Sequence, residues 1–298
     1  VVHLGVADVE PAVFTGENYP KNYKAGDGTA FGVGLTAAQA ASITGVAVIQ
    51  QMFGVIYNKT GANSQFIPAS GLSSATLRAI FTGQYKDWSH VPELVGTLAP
   101  GGAITVCRRD PTSGTQAQSS IVFNNQFCGS KSPLENSIAW TVPNGTSVQM
   151  FATSTDVEGC VAASDAVGIR AFTGSLKTPG IAFAAIDGTL PSQGAMQTGG
   201  YRDWVEATYV EGPTFATLTA NQQALITGLI QFTSDATSAT IAAGSAYLYL
   251  PNAKDSQGND NNPATLGTAA SVAGHVGLTS KSTAGAGDSC KQTPNPLN

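Results

Sequence analysis

Helical and strand-like patterns alternate along this chain of 298 residues, which predicts an α/β protein with mainly parallel sheets and room for two domains. Three observations carry that prediction. Short buried runs such as GAITVC (102–107) and AVGIRAF (166–172) read as strands, and GLSSATLRAIFTG (71–83) and NQQALITGLIQFTS (221–234) have apolar spacing of helical type. Between them, CRRDPTSGTQAQSS runs from Cys107 to Ser120 as a strand-to-helix turn.

Taken in order, VVHLGVAD (1–8) reads as a buried strand ending at Asp8, and TAAQAASIT (36–44) as a helix. GVAVIQQMFGVIYN (45–58) is a long Val- and Ile-rich strand region, and the 71–83 helix follows it. GAITVC then delivers the chain into the 107–120 turn, where SGTQAQSSIVFNNQF (113–127) starts with helix-capping residues and continues with helix formers. TSVQMFATS (146–154) is expected as a short helix, and AVGIRAF and GIAFAAI (180–186) as strands. The helix over 221–234 closes the regular part, and the loop-forming tail over 252–298 wraps the surface.

Only 11% of residues are Asp, Glu, Lys or Arg, against about 25% in ordinary soluble proteins, so the surface is covered largely by small polar groups. A net charge of −5 and the lack of any Lys/Arg cluster exclude a nucleic-acid partner. The 45–58 run is too short to cross a bilayer. The opening VVHLGV is strand-like and not a signal peptide, as expected of a mature or trimmed secreted chain. Cys107, Cys128, Cys160 and Cys290 form no C-x-x-C pair, so two disulfides are expected, with all three connectivities open. No cofactor or metal ligand set is expected. Asn58 and Asn144 match the glycosylation pattern, which carries little weight alone.

The charges of the turn ask for a physical reason. A helix N-terminus presents N–H groups without intrahelical partners and a partial positive charge, so a strand-SGT-helix turn seats an anion. Ser113 and Thr115 add hydroxyls, Gly114 permits close approach, and an arginine fork matches two oxyanion oxygens. Asp110 is placed to hold that arginine. The alternative is a capping Ser113 beside a solvated charge cluster.

RRDPTSGT (108–115) in this setting resembles the Arg-x-Asp-x-Ser-Gly-Thr anion loop of phosphate-binding proteins of ABC uptake, which have the type II periplasmic-binding-protein fold. LGVADVEP (4–11), LRAIFTGQYKDW (77–88), AVGIRAF, GLIQFTS (228–234) and LYLP (248–251) extend the resemblance over roughly residues 1–251. It implies two α/β domains with a ligand cleft between them: 1–50 as the first part of domain 1, 51–138 as domain 2 with the anion loop, 139–251 as the rest of the body, and 252–298 as the tail. It also implies that Arg109 neutralises a small oxyanion, most readily phosphate, while Ser113, Gly114 and Thr115 donate hydrogen bonds.

Asp8 would accept the proton of monohydrogen phosphate and so reject fully ionised sulfate. Two departures from the family pattern stand out. Pro111 and Thr112 both separate Asp110 from Ser113, so Arg109 keeps the distance to the serine while Arg108 keeps the Arg-x-Asp pattern; Arg109 is preferred and Arg108 is the substitute. The family's first strand-helix-strand unit is absent before Asp8, so another chain or segment is expected to complete the N-terminal sheet. Trp88 and Trp204 are expected in packing, Arg170 at the surface or in a salt bridge, and Glu10, next to Pro11, outside any paired-carboxylate site.

Two functions follow. The first is a periplasmic or secreted solute-binding protein that hands an oxyanion to an ABC importer in the membrane. The second is a secreted structural, adhesive or assembly protein that reuses the fold. A hydrolase has no support, since no G-x-S-x-G elbow and no histidine near the SGT turn is present.

Overall fold

The computed structural model describes residues 3–9, 11–14, 35–110, 112–123, 148–172, 175–234 and 247–249. Cys128, Cys290, Asn144 and the 252–298 tail lie outside the described residues. In chain order the elements are β1 (Leu4–Ala7), α1 (Ala37–Ala41), β2 (Thr44–Asn58), α2 (Ser74–Phe81), β3 (Thr105–Arg109), α3 (Gly114–Phe123), β4 (Val148–Phe151), α4 (Ser154–Ala163), β5 (Ala166–Ala171), β6 (Ile181–Phe183), α5 (Gln193–Gln197), β7 (Trp204–Glu211), α6 (Ala220–Ser234) and β8 (Tyr247–Tyr249). Two compact units emerge: Val1–Gly16, Leu35–Met52 and Ser192–Asn298 form one, and Glu17–Gly34 with Phe53–Pro191 the other.

In the first unit, β7 lies between β1 and the N-terminal half of β2, and β8 also pairs with β2; all three pairings are antiparallel. A register shift between Ala47 and Ile49 bulges β2 beside β7. Below it the ladder sets Gln50 opposite Glu206 and Met52 opposite Trp204, all four buried. The α6 helix forms as its spacing predicts, but Leu225, Leu229 and Phe232 stay exposed while Ile230 is buried.

In the second unit the strands run β2-β5-β3-β4, with β6 on the other side of β2. Here β5 pairs antiparallel with β2 and parallel with β3, and β3 pairs parallel with β4. The expectation of mainly parallel sheets therefore needs correction. Among the described strand-to-strand pairings only those of β3 are parallel; β2 runs against β5, β6, β7 and β8, and β1 against β7. Parallel strands need a crossover, and α4 supplies the one that carries the chain from β4 past β3 to β5.

The 146–154 stretch is also corrected: its first part is the strand β4, not a helix. Val148 and Phe151 favour a pleated surface, β3 provides the ladder, and helix begins only after Thr153, whose hydroxyl accepts from Asp156 N.

The core of this unit gathers Ile56, Cys107, Val157, Cys160, Val161, Ala166 and Ile181 between the sheet and α4. At Gly168 α4 and β3 come close: a Cβ would stand 2.8 Å from the Cys107 carbonyl oxygen and 3.0 Å from the methyl carbons of Val157 and Val161. Trp88 and Trp204 are fully buried, each in its own unit, as packing residues.

Candidate functional site

The anion-loop motif lies where β3 ends. Asp110 N donates to Phe151 O at 3.0 Å, which carries the ladder one residue past β3. Ser113 N then donates to Asp110 O at 3.1 Å, closing a four-residue turn, and Ala117 N donates to Ser113 O at 3.0 Å as the first bond of α3. Ser113 thus stands at the N-cap, and the N–H groups of Gly114 and Thr115 fall in the first turn, where no intrahelical acceptor exists. Ser113 and Thr115 are 7% and 4% exposed.

The extra residue before Ser113 has a structural explanation. Thr112 N donates to Asp110 Oδ1 at 2.9 Å, and the Thr112 hydroxyl donates to the same oxygen. An Asx turn on Asp110 takes up the insertion, and one carboxylate organises the whole bend.

The two arginines leave β3 on opposite faces. Side chains alternate along a strand, and Cys107 is disulfide-bonded to Cys160 of α4, so Cys107 and Arg109 share the α4 face. Arg109 confirms this: its Nε donates to Phe151 O at 3.3 Å, Nη1 to Ser154 Oγ at 3.2 Å and Nη2 to Ala152 O at 2.6 Å. Arg108 therefore belongs to the other face, as does Asp110 two residues on, and it is buried. Under the right-handed rule for parallel crossovers, the connection from β3 to β4 and the one from β4 past β3 to β5 lie on opposite faces of the sheet, which assigns α3 to one and α4 to the other. By that rule Arg108 is on the α3 side; the chain leaves β3 toward β4 and leaves β5 toward β6 beyond β2, so the strand order reverses between β3 and β5. In open α/β sheets such a switch point is where ligands bind.

Asp8 follows β1 in the first unit, partly buried. Burial first, and then the negative charge of Asp8, push the Tyr247 phenol above its ordinary range. Arg170, expected at the surface or in a salt bridge, is buried and ion-paired with Glu158. Sequence reasoning missed Ser154 and Tyr247. The Thr153-Ser-Thr-Asp156 pattern, a helix-start signature, was the signal for the first. Among the described residues no cluster of three His, Cys, Asp or Glu could hold a metal, and no helix is long and apolar enough to cross a membrane.

The second unit thus carries a Ser-Gly-Thr helix start at the switch point of its sheet. Residues 32–262 match the PBP superfamily domain, and the chain belongs to that superfamily, with the type II periplasmic-binding-protein fold. No curated protein sequence matches it. A human phosphate binding apolipoprotein superposes with a TM-score of 0.51 at 14% identity, covering 86% of this chain and 77% of that one. A phosphate binding protein from Stenotrophomonas maltophilia gives 0.48 at 17% identity, with 93% and 85% covered. An ABC-type phosphate transport receptor from Vibrio cholerae gives 0.47 at 13%, with 76% and 72% covered.

Proposed function

We propose that this chain is an extracytoplasmic solute-binding protein that takes a small oxyanion, phosphate, and delivers it to an ABC-type importer in the membrane. The observation that carries this reading is the helix start at Ser113, Gly114 and Thr115, set at the switch point beside β3. Of the two arginines, position on the strand favours Arg108 as the anion's partner: it shares its face with Asp110 and α3, whereas Arg109 is on the α4 face, bonded to the β4–α4 turn. Monohydrogen phosphate carries a proton that sulfate lacks, and a carboxylate that accepts it, the role expected of Asp8, would separate the two anions. The disulfide Cys107–Cys160 supports an oxidising, extracytoplasmic setting.

Isothermal titration of anion-stripped protein with phosphate and then sulfate at neutral pH tests the reading. Phosphate should bind and sulfate should not; Arg108→Ala should weaken phosphate binding by about a hundredfold, the loss of a charge-assisted bidentate contact. Binding of neither anion by the unaltered protein overturns it.

One observation favours the assembly reading as second. Among the described residues β1 pairs only with β7, and Val6 on it is 71% exposed, so an added strand from another chain or segment would complete that edge. Light scattering that gives a monomer at all concentrations counts against a second copy as that partner.

A further inference from the structure

We propose that Arg109 is a positioning residue for the anion loop. With the Cys107–Cys160 disulfide it clamps β3 to the β4–α4 turn, and it sets the loop's geometry without touching the anion. This rests on the phosphate-binding reading above and deepens it.

The clamp is built from one shared acceptor. The carbonyl of Phe151 takes the Asp110 N–H at 3.0 Å and the Arg109 Nε–H at 3.3 Å. The same guanidinium continues to Ala152 O at 2.6 Å and Ser154 Oγ at 3.2 Å. Three donors of one rigid plane thus hold three consecutive features of the β4–α4 turn: the strand's last carbonyl, the connecting carbonyl and the first helical hydroxyl. All three acceptors are neutral, so the contact depends on fork geometry more than on charge, and a lysine ammonium cannot span it.

The second fastening lies on the same face. Cys107 precedes Arg109 by two residues, and Cys160 follows Ser154 by six, so α4 is tied to β3 near its start and about 9 Å further along its axis. The disulfide is buried within the core cluster. Together the two ties fix where the end of β4 stands beside β3.

Loop geometry follows from that position through a chain of bonds. Phe151 O anchors Asp110 N; Asp110 O closes the turn on Ser113 N; the Asp110 carboxylate holds Thr112; Ser113 O starts α3. If the end of β4 swings, Asp110 loses its anchor and the Ser113–Thr115 donors lose their common aim. A seat preorganised in the empty protein binds more tightly than one ordered by the anion.

The test compares Arg109→Ala, Arg109→Lys, Ser154→Ala and the Cys107→Ser/Cys160→Ser pair with the unaltered chain. Three quantities are read: amide hydrogen exchange over residues 108–116 in the anion-free protein, phosphate affinity, and the global unfolding midpoint. In the empty protein, Arg109→Ala and Arg109→Lys should both speed exchange at Asp110 and Ser113 by about tenfold or more, the loss of charge-assisted bonds, in molecules that remain globally folded. Phosphate affinity should fall by about ten- to a hundredfold in both, with Ser154→Ala intermediate and the disulfide pair non-additive with Arg109→Ala.

Unchanged exchange in the empty Arg109→Ala protein overturns the clamp, as does full affinity in Arg109→Lys. If the unaltered protein binds no phosphate, the functional reading fails, while the exchange measurement still decides the clamp by itself.

Discussion

Nη1 of Arg170 on β5 lies 2.6 Å from Oε1 of Glu158 on α4, and both side chains are buried. The pair does more than neutralise itself. Glu158 Oε2 accepts from Lys177 N at 2.9 Å and Thr178 N at 2.8 Å, while Arg170 Nη1 donates to Ser175 O at 3.1 Å. A strand, a helix and the chain leading to β6 meet on two charges. Removing one partner strands the other in the core, so Arg170→Ala or Glu158→Gln should cost about 3–5 kcal/mol in denaturant unfolding. Replacing both with apolar residues should cost less than the sum of the single changes. Arg170 belongs to this framework, so phosphate binding by folded Arg170→Ala should stay close to that of the unaltered protein.

Asn58 meets the glycosylation pattern with Thr60, yet it is only 5% exposed. Its Nδ2 donates to Ala162 O at 3.0 Å and Ser164 O at 2.8 Å, and its Oδ1 accepts from Thr60 N at 2.9 Å and Thr60 Oγ1 at 2.8 Å. The nitrogen that would carry a glycan already caps the C-terminal end of α4. Expression in a glycosylating host should therefore leave Asn58 unmodified by mass spectrometry. Asn58→Ala should destabilise by about 1–3 kcal/mol, because two partly buried carbonyls at the end of α4 lose their donor.

The α/β fold and the strand-turn-helix over 107–120 were legible in the sequence because both depend on local signals: buried runs, helical spacing and an SGT turn after a strand. The opposite faces that Arg108 and Arg109 take on β3 were not. Residue spacing to Ser113 favours Arg109, but which arginine faces α3 depends on strand alternation referred to a fixed point, and that point is the Cys107–Cys160 bond. Four cysteines leave three pairings open, so the reference was invisible until α4 was placed against β3. β4 was obscured for a related reason. Four residues of mixed character become a strand only when β3 offers a ladder, and such tertiary context overrides local preference.

Glu93 gives the pH dependence a sign. Burial acts most strongly on its carboxyl and would raise its pKa, but bonds from Ser73 N and from the Thr76 hydroxyl outweigh it and hold the group below the ordinary glutamate range. A carboxyl depressed in the folded state binds its proton more readily in the unfolded chain. Its stabilisation is therefore complete above the unfolded value of about 4.3 and is lost as pH falls through the lower folded value. The affected contact is specific: Glu93 satisfies the start of α2, where Thr76 N also donates to Ser73 Oγ at 3.1 Å. Glu93→Gln keeps an acceptor but loses the charge, and should cost about 1 kcal/mol at neutral pH. Urea midpoints measured from pH 6 down to pH 3 should fall less steeply in Glu93→Gln than in the unaltered protein. Parallel curves would show that Glu93 contributes nothing to acid sensitivity.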